Sequence, residues 1–384
     1  MKRLLLILQI TLIVSLATGQ TFQDMLNRIN NLPEPDRQPV VDSFMNSGHT
    51  FPYIESDTVT HFIFRGPALN IKVAGDATEW NPQLIMIKIS GTDFWYHTIS
   101  YPADARLDYK FVMNGSDWIL DPLNSHTCAG GFGPNSELRM PSCEVPPELS
   151  FYPDITHGTI KDTTFRSEVL GNSRTIKIYL PPGYNTSAGD YPVILFHDGL
   201  EYISLAKANN ILDYLIAHQK IVPVIGIFVP PVDRTAEYAG NKMDRFTALI
   251  VDELMPVIDN KFRTSKDSKK RAMMGASNGG NISLYIGLKH PEVFGKIAAQ
   301  SSNVISEITT TLRDGKKVDI EFYVDVGAYD IGELIPLVQG LVNILQVRDY
   351  PFRFYKWNEG HSWGNWEGHL RYPLIQFFNM NIIK

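Results

Sequence analysis

Along the chain the spacing of apolar positions changes character twice. Phe22, Met25, Leu26, Ile29 and Leu32 recur at helical intervals, which predicts an amphipathic helix that Pro33 and Pro35 end. A second helical stretch runs from about Val40 to Met45, so residues 20–50 form a helical prelude. From 51 to 140 the runs shorten: Val59–Phe64, Ile71–Val73, Leu84–Lys88, Phe94–Ile99 and Leu107–Met113, separated by turns such as Arg65-Gly66-Pro67 and Asn114-Gly115. Short strands at a spacing of about ten residues predict an all-β sandwich. The Pro-rich stretch 141–152 is a linker.

From 153 to 384 strand and helix patterns alternate. Strands are expected at Thr175–Leu180, Val193–Phe196, Val222–Val229, Arg271–Met274, Ile320–Val326 and Arg353–Trp357. Helices are expected at Leu205–His218, Asp244–Asp259, Gly280–Lys289, Ile335–Leu345 and Trp366–Phe378. Wholly apolar strands alternating with helices imply a mainly parallel sheet with helices on both faces.

The first segment has another pattern. Lys2 and Arg3 precede an apolar run from Leu4 to Leu16, and Ala17-Thr18-Gly19 supplies small residues before Gln20. This is the pattern of a secretory signal peptide over 1–19, too short an apolar run for a membrane anchor, and it predicts a periplasmic or secreted protein with no membrane contact after cleavage. In such a compartment the two cysteines, Cys128 and Cys143, could form one bridge closing a loop of about 15 residues, worth roughly 3 kcal/mol. They lack the Cys-x-x-Cys spacing of a metal site. With 35 basic against 41 acidic residues, the net charge of −6 offers no basic field for a nucleic-acid partner.

The chemistry centres on Gly275-Ala276-Ser277-Asn278-Gly279, between an apolar strand and a helix. This is a G-x-S-x-G nucleophile elbow in a strand–turn–helix setting, with Ser277 as the nucleophile. The flanking glycines let strand and helix approach, and the helix N-terminus aims backbone N–H groups at a developing oxyanion. A base and an acid should follow in chain order. His361 lies in a loop directly after a strand, whereas His290 ends a helix and His369 lies within one. Asp330, past the end of the Ile320–Val326 strand, is the favoured acid; Asp325 is the alternative and Glu333 a more distant one. Oxyanion donors are expected from Asn278 and, after an early strand, from Leu200 in His197-Asp198-Gly199-Leu200. His197 precedes the nucleophile and is assigned strand-end hydrogen bonding. No cofactor or metal is required.

Taken together, Arg174–Tyr184 (RTIKIYLPPGY), Tyr191–Tyr202 (YPVILFHDGLEY), Arg234–Tyr238, Gly275–Gly279, Gly327–Asp330 and Gly360-His361 resemble the esterase D and enterochelin esterase-like branch of the α/β-hydrolases. The resemblance spans about residues 155–380. It implies an α/β-hydrolase fold, the triad Ser277, Asp330 and His361, and oxyanion donors at Leu200 and Asn278. Arg234 and Glu237 would lie near the pocket, or form a structural ion pair; Glu201, Tyr202 and Trp363 are further candidates for substrate contact. The family acts on esters of small molecules and oligosaccharides. The preceding segment, with Gly75-Asp76 to Trp80-Asn81-Pro82 and Asp108–Phe111, resembles the immunoglobulin-like E-set modules of the isoamylase and glycogen-binding type. In that resemblance Trp80 and Trp118 would stack on a glycan or serve as packing residues. The whole points to an exported serine esterase acting on acyl or feruloyl esters of carbohydrate. A siderophore trilactone esterase and a non-catalytic binding protein on the same scaffold are the alternatives.

Overall fold

The computed structural model describes residues 21–380, so the leader expected over 1–19 lies outside the described residues. The prelude forms as its period predicts. Thr21 accepts a bond from Asp24 N–H and Asp24 answers to Thr21 N–H, a capping box that opens the helix Phe22–Asn30. This helix and the next, Gln38–Met45, bury Phe22, Met25, Ile29, Val41 and Phe44 against Ile63 and Phe94.

Two antiparallel sheets follow. One runs Tyr53–Glu55, Val59–Arg65, Phe94–Ser100, Ile87–Lys88. The other runs Leu84–Ile85, Ile71–Gly75, Arg106–Met113, Asn135–Arg139, Thr127–Cys128, with Asp117–Ile119 also paired to Arg106–Met113. Alternation along Val59–Arg65 decides the packing. Ile63 faces the helices, while Phe62 and Phe64 face Val73, Leu107 and Phe111 of the second sheet. The single strand expected over Leu84–Lys88 is instead split at Met86, and its halves join different sheets.

The second half is an eight-stranded sheet. Its strands are β1 (Thr159–Ser167), β2 (Asn172–Leu180), β3 (Val193–His197), β4 (Ile225–Val229), β5 (Arg271–Ala276), β6 (Lys296–Gln300), β7 (Glu321–Tyr329) and β8 (Phe352–Gly360). They lie in the order β1-β2-β4-β3-β5-β6-β7-β8. The β1–β2 and β2–β4 pairs are antiparallel and all the others parallel. The interiors of the central strands are apolar because both faces are covered. Leu195, Met273 and Ile297 face one helical layer; Ile194, Phe196, Met274 and Ala298 face the other. The helix expected over Asp244–Asp259 is built as Met243–Ala248, a π-helical stretch Leu249–Leu254, and Met255–Lys261. Among the described residues no helix is long and apolar enough to cross a membrane.

Parallel strands place the loops at their C-terminal ends along one edge. Asp198 follows β3, Ser277 follows β5, Asp330 follows β7 and His361 follows β8. The two halves of the molecule meet near these last two loops. Asn358 Nδ2 donates to Asp104 Oδ1 at 2.7 Å. The Tyr329 and Tyr101 rings meet edge-on at 5.9 Å.

Candidate active site

Ser277 sits between β5 and the helix Asn278–Lys289 with φ 57° and ψ −124°. That left-handed backbone is costly for a residue with a Cβ, and the surroundings hold it there. Ser277 N–H donates to Gln300 O of β6 at 2.8 Å. Beneath it, a Cβ on Gly275 would lie 2.4 Å from the Gly279 carbonyl, so only glycine allows the strand and helix to close this turn. On Gly280, a Cβ would crowd Ser302 Oγ at 2.7 Å. The elbow and its strand–turn–helix setting are those the pentapeptide predicts.

His361 Nδ1 and Asp330 Oδ1 are 2.7 Å apart. The Asp330 side chain is fully buried and also accepts from Gly327 N–H at 3.2 Å and Ile331 N–H at 2.8 Å. Gly327 lets β8 come close, since a Cβ there would lie 2.2 Å from Glu359 O. The imidazole is 18% exposed and packs edge-on against Trp366 at 5.0 Å. A buried carboxylate thus holds Nδ1 while Nε2 stays free for chemistry, the arrangement a general base needs. Among the described residues Ser277 Oγ closes no hydrogen bond to the imidazole.

The other candidates go elsewhere. Asp325 lies inside β7, where it accepts from Tyr323 OH at 2.9 Å, Gln300 Nε2 at 3.4 Å and Ser301 N–H at 3.3 Å. Burial pushes its carboxyl up to about 7. Glu333 precedes the helix Leu334–Val347. His369 stacks on Trp357 at 3.8 Å, and burial lowers it to about 3. His290 pairs with Glu292 at 3.0 Å. His197 differs from expectation: neither ring nitrogen has a hydrogen-bond partner. Burial, helped by the Arg234 charge, holds it neutral with a pKa of about 3, and it packs against Tyr238 at 5.3 Å.

The loop after β3 lies beside the elbow. Asp198 adopts φ 52°, and Gly199 presses onto β4 so closely that a Cβ would lie 2.3 Å from Phe228 C. Leu200 and Asn278 both occupy first turns of helices, Gly199–Ser204 and Asn278–Lys289. N–H groups there have no intrahelical acceptor and are available to an oxyanion. Arg234 ties the two segments together. It forks onto Asp198 Oδ1 and Oδ2, both at 2.8 Å, and donates to Ala276 O at 3.2 Å. The family resemblance put Arg234 near the pocket, and the structure puts it against the residue before Ser277.

Two proposed substrate contacts are corrected. Glu237 is fully buried and spends both carboxylate oxygens on Arg174, at 3.0 and 3.1 Å. It is the structural ion pair, made with a partner the sequence did not suggest. Tyr202 is also fully buried, and its hydroxyl donates to Gln300 Oε1 at 3.0 Å. Glu201 remains partly exposed beside Leu200, and burial raises its carboxyl. Trp363 is partly exposed, two residues past His361, and packs edge-on against Tyr202 at 5.3 Å. A contact the sequence did not signal comes from the first half of the chain. Gly131 lies against Trp363, its Cβ position 3.8 Å from Nε1, and the neighbouring Phe132 ring is fully exposed.

The expected bridge is also corrected, since Cys128 and Cys143 are both free thiols. Cys128 is in register with Asn135, at the start of a strand that runs away from it to Arg139. Trp80 and Trp118 stack at 6.4 Å, and Trp118 is 44% exposed.

Residues 167–326 match the family described as "Putative esterase". An endo-1,4-beta-xylanase/feruloyl esterase of Xylanibacter ruminicola is 28% identical over 281 residues, 69% of this chain and 36% of that protein. An iron(III) enterobactin esterase of Dickeya dadantii is 27% identical over 251 residues, 56% of this chain and 57% of that one. The chain therefore spans about a third of the first relative and just over half of the second. The crystal structure of the enterobactin esterase FES from Shigella flexneri shares the fold, with a TM-score of 0.74 at 23% identity over 88% of this chain and 97% of that one. The chain thus carries an esterase-family match over residues 167–326 and shares the fold of an enterobactin esterase.

Proposed function

We propose that the protein is an exported serine esterase that hydrolyses carboxylic esters through Ser277, His361 and Asp330. One observation carries this reading: an imidazole backed by a buried carboxylate at 2.7 Å, on the same sheet edge as a serine held at φ 57°. In the reaction Ser277 Oγ attacks the ester carbonyl and His361 Nε2 takes its proton. The Leu200 and Asn278 N–H groups receive the charge on the carbonyl oxygen. His361 returns the proton to the leaving alcohol, and water then cleaves the acyl-enzyme by the same route. The division into a helical prelude, an immunoglobulin-like sandwich over 51–140, a linker and a hydrolase domain from 153 is part of this proposal.

The favoured substrates are acyl or feruloyl esters on carbohydrate. Supporting this are the name of the Xylanibacter relative and the Trp118 ring, 44% exposed and stacked on the partly buried Trp80, an aromatic surface suited to a sugar ring. That stack lies by the site: Glu79, next to Trp80, abuts Gly332, two residues past Asp330. A trilactone siderophore is the second reading, supported by a fold shared with an enterobactin esterase over 88% of the chain.

Ser277→Ala should abolish hydrolysis of a p-nitrophenyl acyl ester and labelling by a fluorophosphonate while leaving the melting temperature unchanged. Turnover near wild type in that variant rejects the mechanism, and no labelling of the wild type favours a binding protein. Parallel assays on feruloylated oligosaccharides, acetyl-xylan and a catecholate trilactone separate the two substrate readings.

A further inference from the structure

His361 is flanked by two glycines, and each makes room for a side chain from the sandwich. A Cβ on Gly360 would lie 2.2 to 2.6 Å from the Asp76 carboxyl. A Cβ on Gly364 would lie 1.9 to 2.2 Å from the Arg106 guanidinium. Arg106 also reaches Glu359 Oε2 at 3.5 Å, two residues before His361. The guanidinium is not free to swing. Its Nε donates to Glu137 Oε1 at 2.7 Å and its Nη2 to Asp108 Oδ1 at 2.8 Å, and all three residues are buried. Asp76 is held too, through a bond from Asp108 N–H to Oδ2 at 2.8 Å, while its Oδ1 has no partner and faces Gly360.

Burying so much charge is expensive, and a cluster of this kind does little for net stability. Its geometry is directional instead. It fixes one cation and one carboxyl against the two ends of the segment that presents the imidazole. We propose that Arg106, with Asp76, is a positioning residue for His361, so that the sandwich is a working part of the catalytic apparatus. The proposal rests on the esterase reading above. It follows from how the imidazole is supported on its own side: Asp330 fixes its rotation through Nδ1, but the backbone that carries it leaves β8 at Gly360 and enters the next helix at Trp363. That path is tied from within by Asn365, whose Nδ2 donates to Gly360 O at 2.8 Å and whose N–H donates to Ser362 Oγ at 3.4 Å, and from outside by Arg106, 253 residues away from Glu359. Without the guanidinium the segment loses one of its fixed points, and a displacement of about 1 Å at a reacting group can cost about 100-fold in rate.

The test uses the full-length chain and p-nitrophenyl acetate, with kcat expressed per site titrated by a fluorophosphonate. Arg106→Met is expected to lower kcat by about 100-fold with KM within about twofold. It should also shift or broaden the low-field proton resonance of His361 Nδ1. Arg106→Lys, which keeps the charge but not the planar fork, should recover part of the rate. If Arg106→Met does not melt cooperatively, Gly364→Ala displaces the same guanidinium from the hydrolase side and should give the same split. A folded variant with wild-type kcat and an unchanged resonance overturns the proposal, as does a rise in KM alone. A wild-type protein that neither hydrolyses the ester nor labels overturns the esterase reading and this inference with it.

Discussion

Ser277 and His361 reach the same sheet edge by different means. The serine is fixed from within its own half: by the Gln300 carbonyl of the neighbouring strand, by the Gly275–Gly279 contact under the turn, and by Arg234 spanning Asp198 and Ala276. The imidazole depends on a carboxylate 31 residues away and on side chains of the sandwich. The proposed nucleophile is thus part of the core around the eight-stranded sheet, while the proposed base is held at a boundary between two cores. Damage to the supports of the first should cost the fold, and damage to the supports of the second should cost rate.

The sharpest break of this contrast is at Asp330. Asp330→Asn leaves the packing in place but no longer enforces the tautomer that frees Nε2, so kcat should fall about 10³- to 10⁴-fold in steady-state assays with little change in melting. Next comes the nucleophile side. Gly275→Ala forces a methyl against backbone that cannot retreat, and thermal or denaturant unfolding should show a loss of about 1–3 kcal/mol or more. If Gly275→Ala melts like wild type, the turn is less constrained than its geometry indicates.

A smaller effect reads the charge at the boundary. Burial pushes the Glu359 carboxyl up to about 8, against the pull of Arg106. A carboxyl that keeps its proton longer in the fold than in the unfolded chain favours folding fully below about 4.5. That contribution is lost as pH rises through about 8. Glu359→Gln cannot ionise, so its melting temperature relative to wild type should climb across that window and then level off. Smallest is the effect of reductant. A bridge between Cys128 and Cys143 would be worth roughly 3 kcal/mol, whereas two free thiols predict the same melting curve with and without dithiothreitol.

Local patterns were legible in the sequence and distant pairings were not. Ser277 could be read because five consecutive residues specify its turn. His361 and Asp330 could be placed because each directly follows a strand. β6 escaped notice because Lys296 and Gln300 bracket only three apolar residues. Lys296 is buried there because its Nζ donates to Phe377 O at 2.6 Å, across 81 residues. β1 has no apolar run to mark it, because most of its side chains face solvent. Of the two readings open for Glu237 the ion pair is the one formed, and its partner has no local signature because Arg174 lies 63 residues earlier in the chain. The contacts of Asp76 and Arg106 with the hydrolase half have no local signature at all.

The two glycines beside His361 bear on how this protein can be engineered. Cutting the chain down to its hydrolase half would leave two open notches where the sandwich side chains had been seated. It would also leave Glu359 facing water without its guanidinium. A shortened enzyme would therefore need larger residues at both notches before it could match its parent.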